Sequence, residues 1–172
     1  MCSHAATAIA ALRALDLPIE APAYAAGIAD ARIPARLQAF ERGGVAVLVD
    51  VGHNPQAADA LASALAARPA AGRTIAVYAA LGDKDHARVV GALAPVVDAW
   101  RLAGTLGAGA RGLDAESLAR RLAGTPAERA PRHDDIANAL RAALDDATPG
   151  DRVLVFGSFH AAAAALQALN AA

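Results

Sequence analysis

From Gly44 onward, continuous hydrophobic runs alternate with stretches whose apolar residues recur at helical spacing. The mainly apolar runs predict strands at Val45–Val49, Thr74–Ala80, Ala99–Ala103 and Arg152–Phe156, with a weaker strand near Ala127–Ala130. The periodic stretches predict helices at Pro55–Ala67, Asp85–Leu93, Asp114–Leu122, Ile136–Asp146 and Phe159–Leu169. Unbroken apolar strands are typical of a parallel sheet covered on both faces. The alternation therefore predicts an α/β fold, a Rossmann-like, mostly parallel and doubly wound sheet.

The first 44 residues lack this alternation. Their apolar spacing predicts a helix from Ser3 through Leu15 and a short helix at Ala23–Ala31. Residues 33–40 have the pattern of extended chain, and Glu41–Gly44 predict a hairpin turn into the first Val-rich strand. The chain is accordingly expected to divide into residues 1–32, a terminal helical segment of a preceding domain, residues 33–44, a linker and hairpin, and residues 45–172, the Rossmann-like domain.

Composition excludes several classes of protein. The chain has 172 residues, of which 56% are hydrophobic and 3% aromatic, and a formal net charge of −1. It has no basic run for nucleic acid or an anionic membrane surface. Cys2 is its one cysteine, which excludes a disulfide framework and a thiolate metal cage. No secretory signal and no apolar stretch of about 18 residues occurs, so we expect a soluble, cytoplasmic protein.

Polar residues follow the first Val-rich strand directly. Asp50, His53 and Asn54 stand between Val45–Val49 and Pro55, which opens a helix. In an open α/β sheet, ligands bind at the carboxyl ends of the strands. Asn54 and Pro55 are ordinary residues at a helix start. A strand-end aspartate, in contrast, is largely desolvated and needs a partner, so Asp50 and His53 are candidate functional residues.

Two further strand ends carry candidate chemistry on the same sheet edge. Gly82–Asp85 is either a turn whose aspartates cap the next helix or a site in which Lys84 contacts a phosphate or carboxylate. Its position beside Asp50 favours the site. In Gly157–His160, Ser158 is either a helix N-cap or part of an anion site at the helix start, and the residues leave both open.

One glycine-rich segment matches a dinucleotide fingerprint. Gly107–Gly112 has the form G-x-G-x-x-G, and Asp134 and Asp135 lie about 22 residues beyond it. However, Gly104–Leu106 separate it from the preceding strand, and Pro131–His133 has the pattern of a loop rather than a strand. A flexible loop is therefore the preferred interpretation. The chain has no G-x-x-x-x-G-K-[ST] segment, so it lacks a P-loop, and its five histidines are too scattered to predict a metal site.

Four spaced motifs are similar to those of one known family. They are Asp50–Pro55, which resembles D-x-A-H-N-P, Ile33–Gln38, which resembles P-G-R-x-Q, Leu81–Asp85, which resembles a D-K-D loop, and Gly157–His160, which resembles G-S-F-H. The family is the folylpolyglutamate synthase/dihydrofolate synthase group of Mur-ligase-like amide-forming ligases. Residues Ala5–Leu12 also resemble the helix that ends the family's ATP-binding domain.

The resemblance implies a reaction and a set of partners. Such ligases use ATP to convert a carboxylate of dihydropteroate or folate to an acyl phosphate, which the amino group of L-glutamate attacks. The P-loop and the Mg²⁺ ligands belong to the family's N-terminal ATP-binding domain. This chain would be the C-terminal domain, working with the N-terminal domain of the same polypeptide, and inactive alone.

The resemblance also implies residue roles. Arg36 matches the hinge arginine that contacts ATP. Asp50 matches a strand-end aspartate that contacts the nucleotide, either through ribose hydroxyls or by orienting Arg36. His53 and Ser158 match positions linked to the incoming glutamate, and Lys84 matches a carboxylate contact. Arg36 and His53 are the expected catalytic residues.

Two positions depart from the family pattern. His4, an expected nucleotide contact, stands where the family typically has asparagine, and Ala35 replaces the usual glycine before the hinge arginine, which we expect to stiffen the hinge. Two other functions stay open on the residues alone. One is a nicotinamide dinucleotide-binding domain that uses Gly107–Gly112, and the other is a non-catalytic binding module of the same fold.

Overall fold

The structure, a computed structural model, describes residues 2–15, 17–31 and 33–171 and divides the chain into two compact units, residues 1–34 and 35–172. The first unit contains helices α1 (Cys2–Ala14) and α2 (Ala21–Asp30), close to the two predicted ones. Within it, the guanidinium of Arg13 lies 5.7 Å from the ring centroid of Tyr24. His4 belongs to α1, but its side chain lies outside the described part of the chain.

The second unit is built on a six-stranded sheet. Its strands are β1 (Gln38–Arg42), β2 (Val45–Val49), β3 (Thr74–Tyr78), β4 (Ala99–Ala103), β5 (Arg132–His133) and β6 (Arg152–Phe156). They lie in the order β1-β2-β6-β3-β4-β5. The β1–β2 hairpin is antiparallel and turns at Gly43 and Gly44, and all other pairs are parallel. The predicted α/β fold with a mostly parallel sheet is confirmed.

Helices cover both faces of this sheet. They are α3 (Pro55–Ala66), α4 (His86–Leu93), α5 (Ala115–Arg120), α6 (Ile136–Asp146) and α7 (Phe159–Ala171). Side chains of Val153 and Val155 pack with residues of α6 and α7, whereas Leu154 and Phe156 pack with residues of α3, α4 and α5. Consecutive strand residues point to opposite faces, so the complete burial of all four requires a helical layer on each side.

Four of these helices begin at an asparagine or aspartate whose side chain accepts a backbone N–H three residues further on. The pairs are Asn54 with Ala57, Asp85 with Arg88, Asp114 with Ser117 and Asp135 with Asn138. Each cap stabilises its helix by about 1 kcal/mol. None of the helices among residues 2–15, 17–31 and 33–171 combines the length and the apolar character needed to cross a membrane.

The prediction of a strand near residues 127–130 is wrong. This segment is a series of turns, in which Glu128 N–H donates to Thr125 O and Ala130 N–H donates to Ala127 O. The neighbouring residues Arg132 and His133, predicted as a loop, form the edge strand β5. A strand of two residues has no hydrophobic period that a sequence pattern could reveal, and it exists only through its pairing with β4.

The prediction of extended chain over residues 33–40 is also wrong in part. Ala35 and Leu37 have φ angles of 54° and 48°, in the left-handed region, and only the residues from Gln38 onward are extended. Two side-chain acceptors hold this turn. The Gln38 amide oxygen accepts the N–H of Ala35 at 3.0 Å, and Asp50 accepts the N–H of Leu37 at 2.9 Å.

Candidate functional site

The loops that follow β2, β6, β3 and β4 lie side by side at the carboxyl edge of the sheet. These strands are consecutive neighbours, so their following loops, residues 50–54, 157–158, 79–85 and 104–114, line one edge. Such an edge is where open α/β sheets bind ligands. The predicted residues Asp50, His53, Lys84 and Ser158 all belong to these loops.

The carboxylate of Asp50 joins the entry segment of the unit to the end of β2. Asp50 is 8% exposed, and its Oδ2 accepts the N–H of Leu37 at 2.9 Å while its Oδ1 accepts the N–H of Gly52 at 2.6 Å. Val51 N–H donates to Ala35 O at 2.9 Å. Arg36, whose side chain is exposed, is thus held by hydrogen bonds to the residues on both sides of it. Asp50 therefore positions Arg36 through the backbone.

His53 is half-buried and has a defined tautomer. Its Nδ1 lies 2.9 Å from the carbonyl oxygen of Val51. Because a carbonyl can only accept, Nδ1 carries the proton, and Nε2 of the neutral ring is an acceptor. The ring of Phe159 lies 6.1 Å from that of His53, centroid to centroid, and Phe159 is 66% exposed. Sequence reasoning gave Phe159 no role, although it lies within the motif Gly157–His160.

The hydroxyl of Ser158 connects β6 to β3. It donates to Ala79 O at 2.9 Å and accepts the N–H of Ala161 at 2.9 Å, which makes it the N-cap of α7, and the residue is 3% exposed. Gly157 makes this close approach possible, because a Cβ on it would lie 2.8 Å from Ala79 O. The structure thus uses Ser158 as the N-cap of α7.

Lys84 and Arg111, which belong to neighbouring loops, both lie close to the carboxylate of Asp83. Nζ of Lys84 is 3.0 Å from Asp83 Oδ2, and Nη1 of Arg111 is 3.7 Å from the same oxygen. The hydrogen bond from Lys84 lowers the pKa of the Asp83 carboxyl, which is therefore an anion at neutral pH. Asp85 caps α4 instead. Sequence reasoning missed Arg111, because its approach to Asp83 depends on the order of the strands.

A buried Tyr–His pair lies beside this loop and was also missed. The hydroxyl of Tyr78 lies 3.1 Å from Nδ1 of His86, and His86 is 4% exposed. Burial lowers the pKa of His86, and the charge of Arg121 lowers it further. Burial likewise raises the pKa of Tyr78. Both groups are therefore neutral at physiological pH, and the pair anchors the start of α4.

The structure does not support the nicotinamide interpretation of Gly107–Gly112. A pyrophosphate would need the free N-terminus of the helix that follows the glycine-rich loop. That N-terminus is occupied, because the Asp114 carboxylate accepts both the N–H and the hydroxyl of Ser117, at 2.6 and 2.8 Å. A strand does precede Asp134, contrary to the sequence prediction, but it does not change this outcome.

Comparisons with known proteins identify the relatives of this chain. The sequence profile of the family described as "Mur ligase, glutamate ligase domain" matches residues 35–159. The dihydrofolate synthase/folylpolyglutamate synthase of Escherichia coli (strain K12) is 40% identical over 168 residues, which cover 98% of this chain and 38% of that protein.

Two solved structures show the same fold. E. coli FolC in complex with DHPP and ADP has a TM-score of 0.84 and 41% identity, covering 97% of this chain and 38% of that one. A bifunctional folylpolyglutamate synthase/dihydrofolate synthase with Mn, AMPPNP and L-glutamate bound has a TM-score of 0.84 and 36% identity, covering 96% and 38%. The chain thus spans well under half of the length of these relatives. With the profile matched over most of its length, the chain belongs to the Mur ligase family as a glutamate ligase domain.

Proposed function

We propose that this chain is the C-terminal domain of an ATP-dependent ligase that adds L-glutamate to dihydropteroate, folate or both. The observation that carries the proposal is the convergence of Asp50, His53, Lys84 and Ser158 at one sheet edge, from loops after three different strands. The relatives support it, since solved members of the family hold DHPP with ADP, or AMPPNP with L-glutamate.

One end of the edge is assigned to ATP. The exposed guanidinium of Arg36 suits phosphate oxygens and would offset the charge that develops during phosphoryl transfer. Asp50 holds the backbone next to Arg36, and His4 is a further nucleotide contact in the proposal. In this step the γ-phosphoryl group of ATP bonds to a carboxylate oxygen of the pteroate, ADP leaves, and an acyl phosphate forms.

The other end is assigned to L-glutamate. Lys84 binds a carboxylate of the amino acid, and Ser158, at the start of α7, is a further contact of the amino acid in the proposal. The glutamate nitrogen attacks the acyl carbon, the new C–N bond forms, and the C–O bond breaks as phosphate leaves with the electron pair. The proton lost by the nitrogen passes to Nε2 of His53. The other ring nitrogen, Nδ1, is hydrogen-bonded to the carbonyl oxygen of Val51.

The metal and the triphosphate cradle are assigned to the N-terminal domain of the same polypeptide. Among the described residues, no group of three or more His, Cys, Asp or Glu side chains is placed to hold a metal ion. No step is assigned to a metal here. Closure of the two domains would complete the site and exclude water from the acyl phosphate.

A joined ligase tests the proposal. The ATP-binding portion of the E. coli relative would be fused to this chain in place of its own matching segment, and glutamate-dependent phosphate release and amide product would be measured. We expect the joined protein to be active and each part alone to be inactive. Phosphate release by the 172-residue chain alone, or a folded, ADP-binding joined protein without ligase activity, would contradict the proposal.

A further inference from the structure

The loop between β4 and α5 borders the candidate site, yet the proposed reaction gives it no role. Its segment Leu106–Arg111 forms 3₁₀ turns around Gly109, whose φ of 75° and ψ of −149° are accessible essentially to glycine alone. The ends of the loop are closed by Thr105 N–H donating to Leu113 O at 2.7 Å and Leu113 N–H donating to Thr105 Oγ1 at 3.0 Å. The loop therefore has a defined conformation.

This loop is also held by its neighbours along the sheet edge. The carbonyl oxygen of Arg111 accepts the N–H of Gly82, in the loop after β3, at 2.9 Å. On its other side, Gly107 lies against the ring of His160, since a Cβ added to Gly107 would be 3.2 Å from that ring. These contacts place the backbone of Arg111 directly beside the loop that carries Lys84.

The side chains of the two loops form an alternating charge pattern. Nζ of Lys84 and Nη1 of Arg111 lie 3.0 and 3.7 Å from the same oxygen of Asp83. The side chain of Arg111 is 65% exposed and that of Asp83 is 46% exposed. An exposed pair of this kind adds little to folding stability, so stability does not account for a loop built to present Arg111.

The pattern complements one kind of ligand. Two cations and one anion give the cluster a net charge of +1. L-Glutamate at neutral pH carries two carboxylates and one ammonium group, a net charge of −1, on a short aliphatic chain. Neutral amino acids such as L-glutamine have one carboxylate fewer, so one of the two cations would keep Asp83 as its only anionic partner. The charge-assisted contact that is lost provides the basis for rejecting such an analogue.

We propose that Arg111 is a specificity residue, whose guanidinium binds one carboxylate of the incoming L-glutamate while Lys84 binds the other. Asp83 lies between the two cations. This inference rests on the proposed function, because it requires L-glutamate to bind at this edge. It also gives the glycine-rich loop Gly107–Gly112 a role, which is to present Arg111 to the amino acid rather than to bind a dinucleotide.

Kinetics of the joined ligase test this assignment. In Arg111→Gln we expect the KM for L-glutamate to rise about 10- to 100-fold, because a charge-assisted contact is lost, with little change in kcat. The preference for L-glutamate over L-glutamine should shrink by a similar factor. The KM of Arg111→Lys for L-glutamate should lie between those of the parent and of Arg111→Gln. The matched control is Arg129→Gln, an exposed arginine outside these loops, which should leave both constants unchanged.

The outcomes separate this inference from the proposed function. An active joined ligase whose Arg111→Gln variant keeps the parent KM and the parent preference would overturn the inference alone. A parallel fall in kcat and kcat/KM at unchanged KM would overturn it as well, since it would indicate a structural role. A joined ligase that is inactive before any substitution would contradict the proposed function, and this inference would fall with it.

Discussion

The backbone N–H of Leu37 donates to Oδ2 of Asp50 at 2.9 Å, and this hydrogen bond joins the entry segment of the domain to the end of β2. The second oxygen accepts the N–H of Gly52 at 2.6 Å, so both oxygens of this buried carboxylate have a partner. Hydrogen bonds to an ionised acceptor are stronger than neutral ones and offset its desolvation. Asp50 thus contributes to the fold and to the placement of Arg36 together.

Asp50→Asn should destabilise the domain. The amide nitrogen of asparagine cannot accept, so either Leu37 or Gly52 loses the partner of its N–H. We expect the free energy of unfolding to fall by about 1–3 kcal/mol, measured by urea denaturation of the chain. The control Asp59→Asn, at an exposed position of α3, should change it by less than about 0.5 kcal/mol. Equal effects of the two substitutions would show that the Asp50 carboxylate does not hold this segment.

Ala35→Gly should stabilise the domain slightly. Ala35 has a φ of 54°, and this left-handed conformation costs an L-residue roughly 1–2 kcal/mol. Glycine avoids that strain, but it increases the conformational entropy of the unfolded chain, which lowers stability by about 0.4–1 kcal/mol. The buried methyl group of Ala35 is also lost, which offsets part of this difference, so the net gain should be at most about 0.5 kcal/mol. The control Ala60→Gly, exposed on α3, should instead lower stability by about 1 kcal/mol. Opposite shifts of the urea midpoint are the expected result, and two shifts in the same direction would contradict a strained Ala35.

Gly157→Ala should have the largest effect on stability among these substitutions. The φ of Gly157 is 118°, and a Cβ there would lie 2.8 Å from Ala79 O and 2.9 Å from the ring of Tyr78. We expect a loss of about 1–3 kcal/mol from backbone strain alone. Gly91→Ala is the matched control, because its Cβ would meet no atom within 4 Å and the helix would gain up to about 1 kcal/mol. A Gly157→Ala chain as stable as the parent would disprove the close approach of β6 and β3.

His86 should make the stability of the domain depend on pH. Its pKa is lowered by burial, so below about pH 6.5 the unfolded state binds the proton more readily than the folded state. The stability that neutral His86 contributes is therefore present above that pH and is lost as the pH falls. Between about pH 7.5 and 5.5, the free energy of unfolding of His86→Gln should fall less than that of the parent.

A second histidine, His133, also contributes to the pH dependence of the free energy of unfolding. Burial also lowers the pKa of His133, which keeps a residual pH dependence in His86→Gln. In a double variant that also carries His133→Gln, the free energy of unfolding should depend on pH even less. If His86→Gln follows the parent curve over the whole range, the neutral Tyr78–His86 pair is not the source of the dependence.

The sequence predicts the central strands well, and it places the candidate residues at one sheet edge. β2, β4 and β6 have the predicted bounds, because each consists mainly of apolar residues, and β6 is buried at every position. The expectation that Asp50 needs a partner follows from desolvation alone, and the structure confirms it. The caps Asn54 and Asp85 are local in sequence, and a local pattern suffices to predict them.

Features that depend on distant residues could not be predicted. The left-handed turn at Ala35 and Leu37 exists because Asp50 accepts the backbone N–H of Leu37. Every residue except proline has a backbone N–H, so the sequence does not show which one Asp50 will bind. Strand β5 depends on pairing with β4 rather than on its own two residues. The approach of Arg111 to Asp83 depends on β3 and β4 being neighbours, which the chain order alone does not state.

The central claim is that one sheet edge serves ATP at one end and L-glutamate at the other. The most direct measurement is the initial rate of the joined ligase against L-glutamate concentration, for Arg36→Ala and Lys84→Met beside the parent. We expect Arg36→Ala to lower kcat by about 100-fold or more at nearly unchanged KM for L-glutamate. Lys84→Met should raise that KM by about tenfold or more, with a smaller change in kcat. Parent-like constants in both variants would contradict the account.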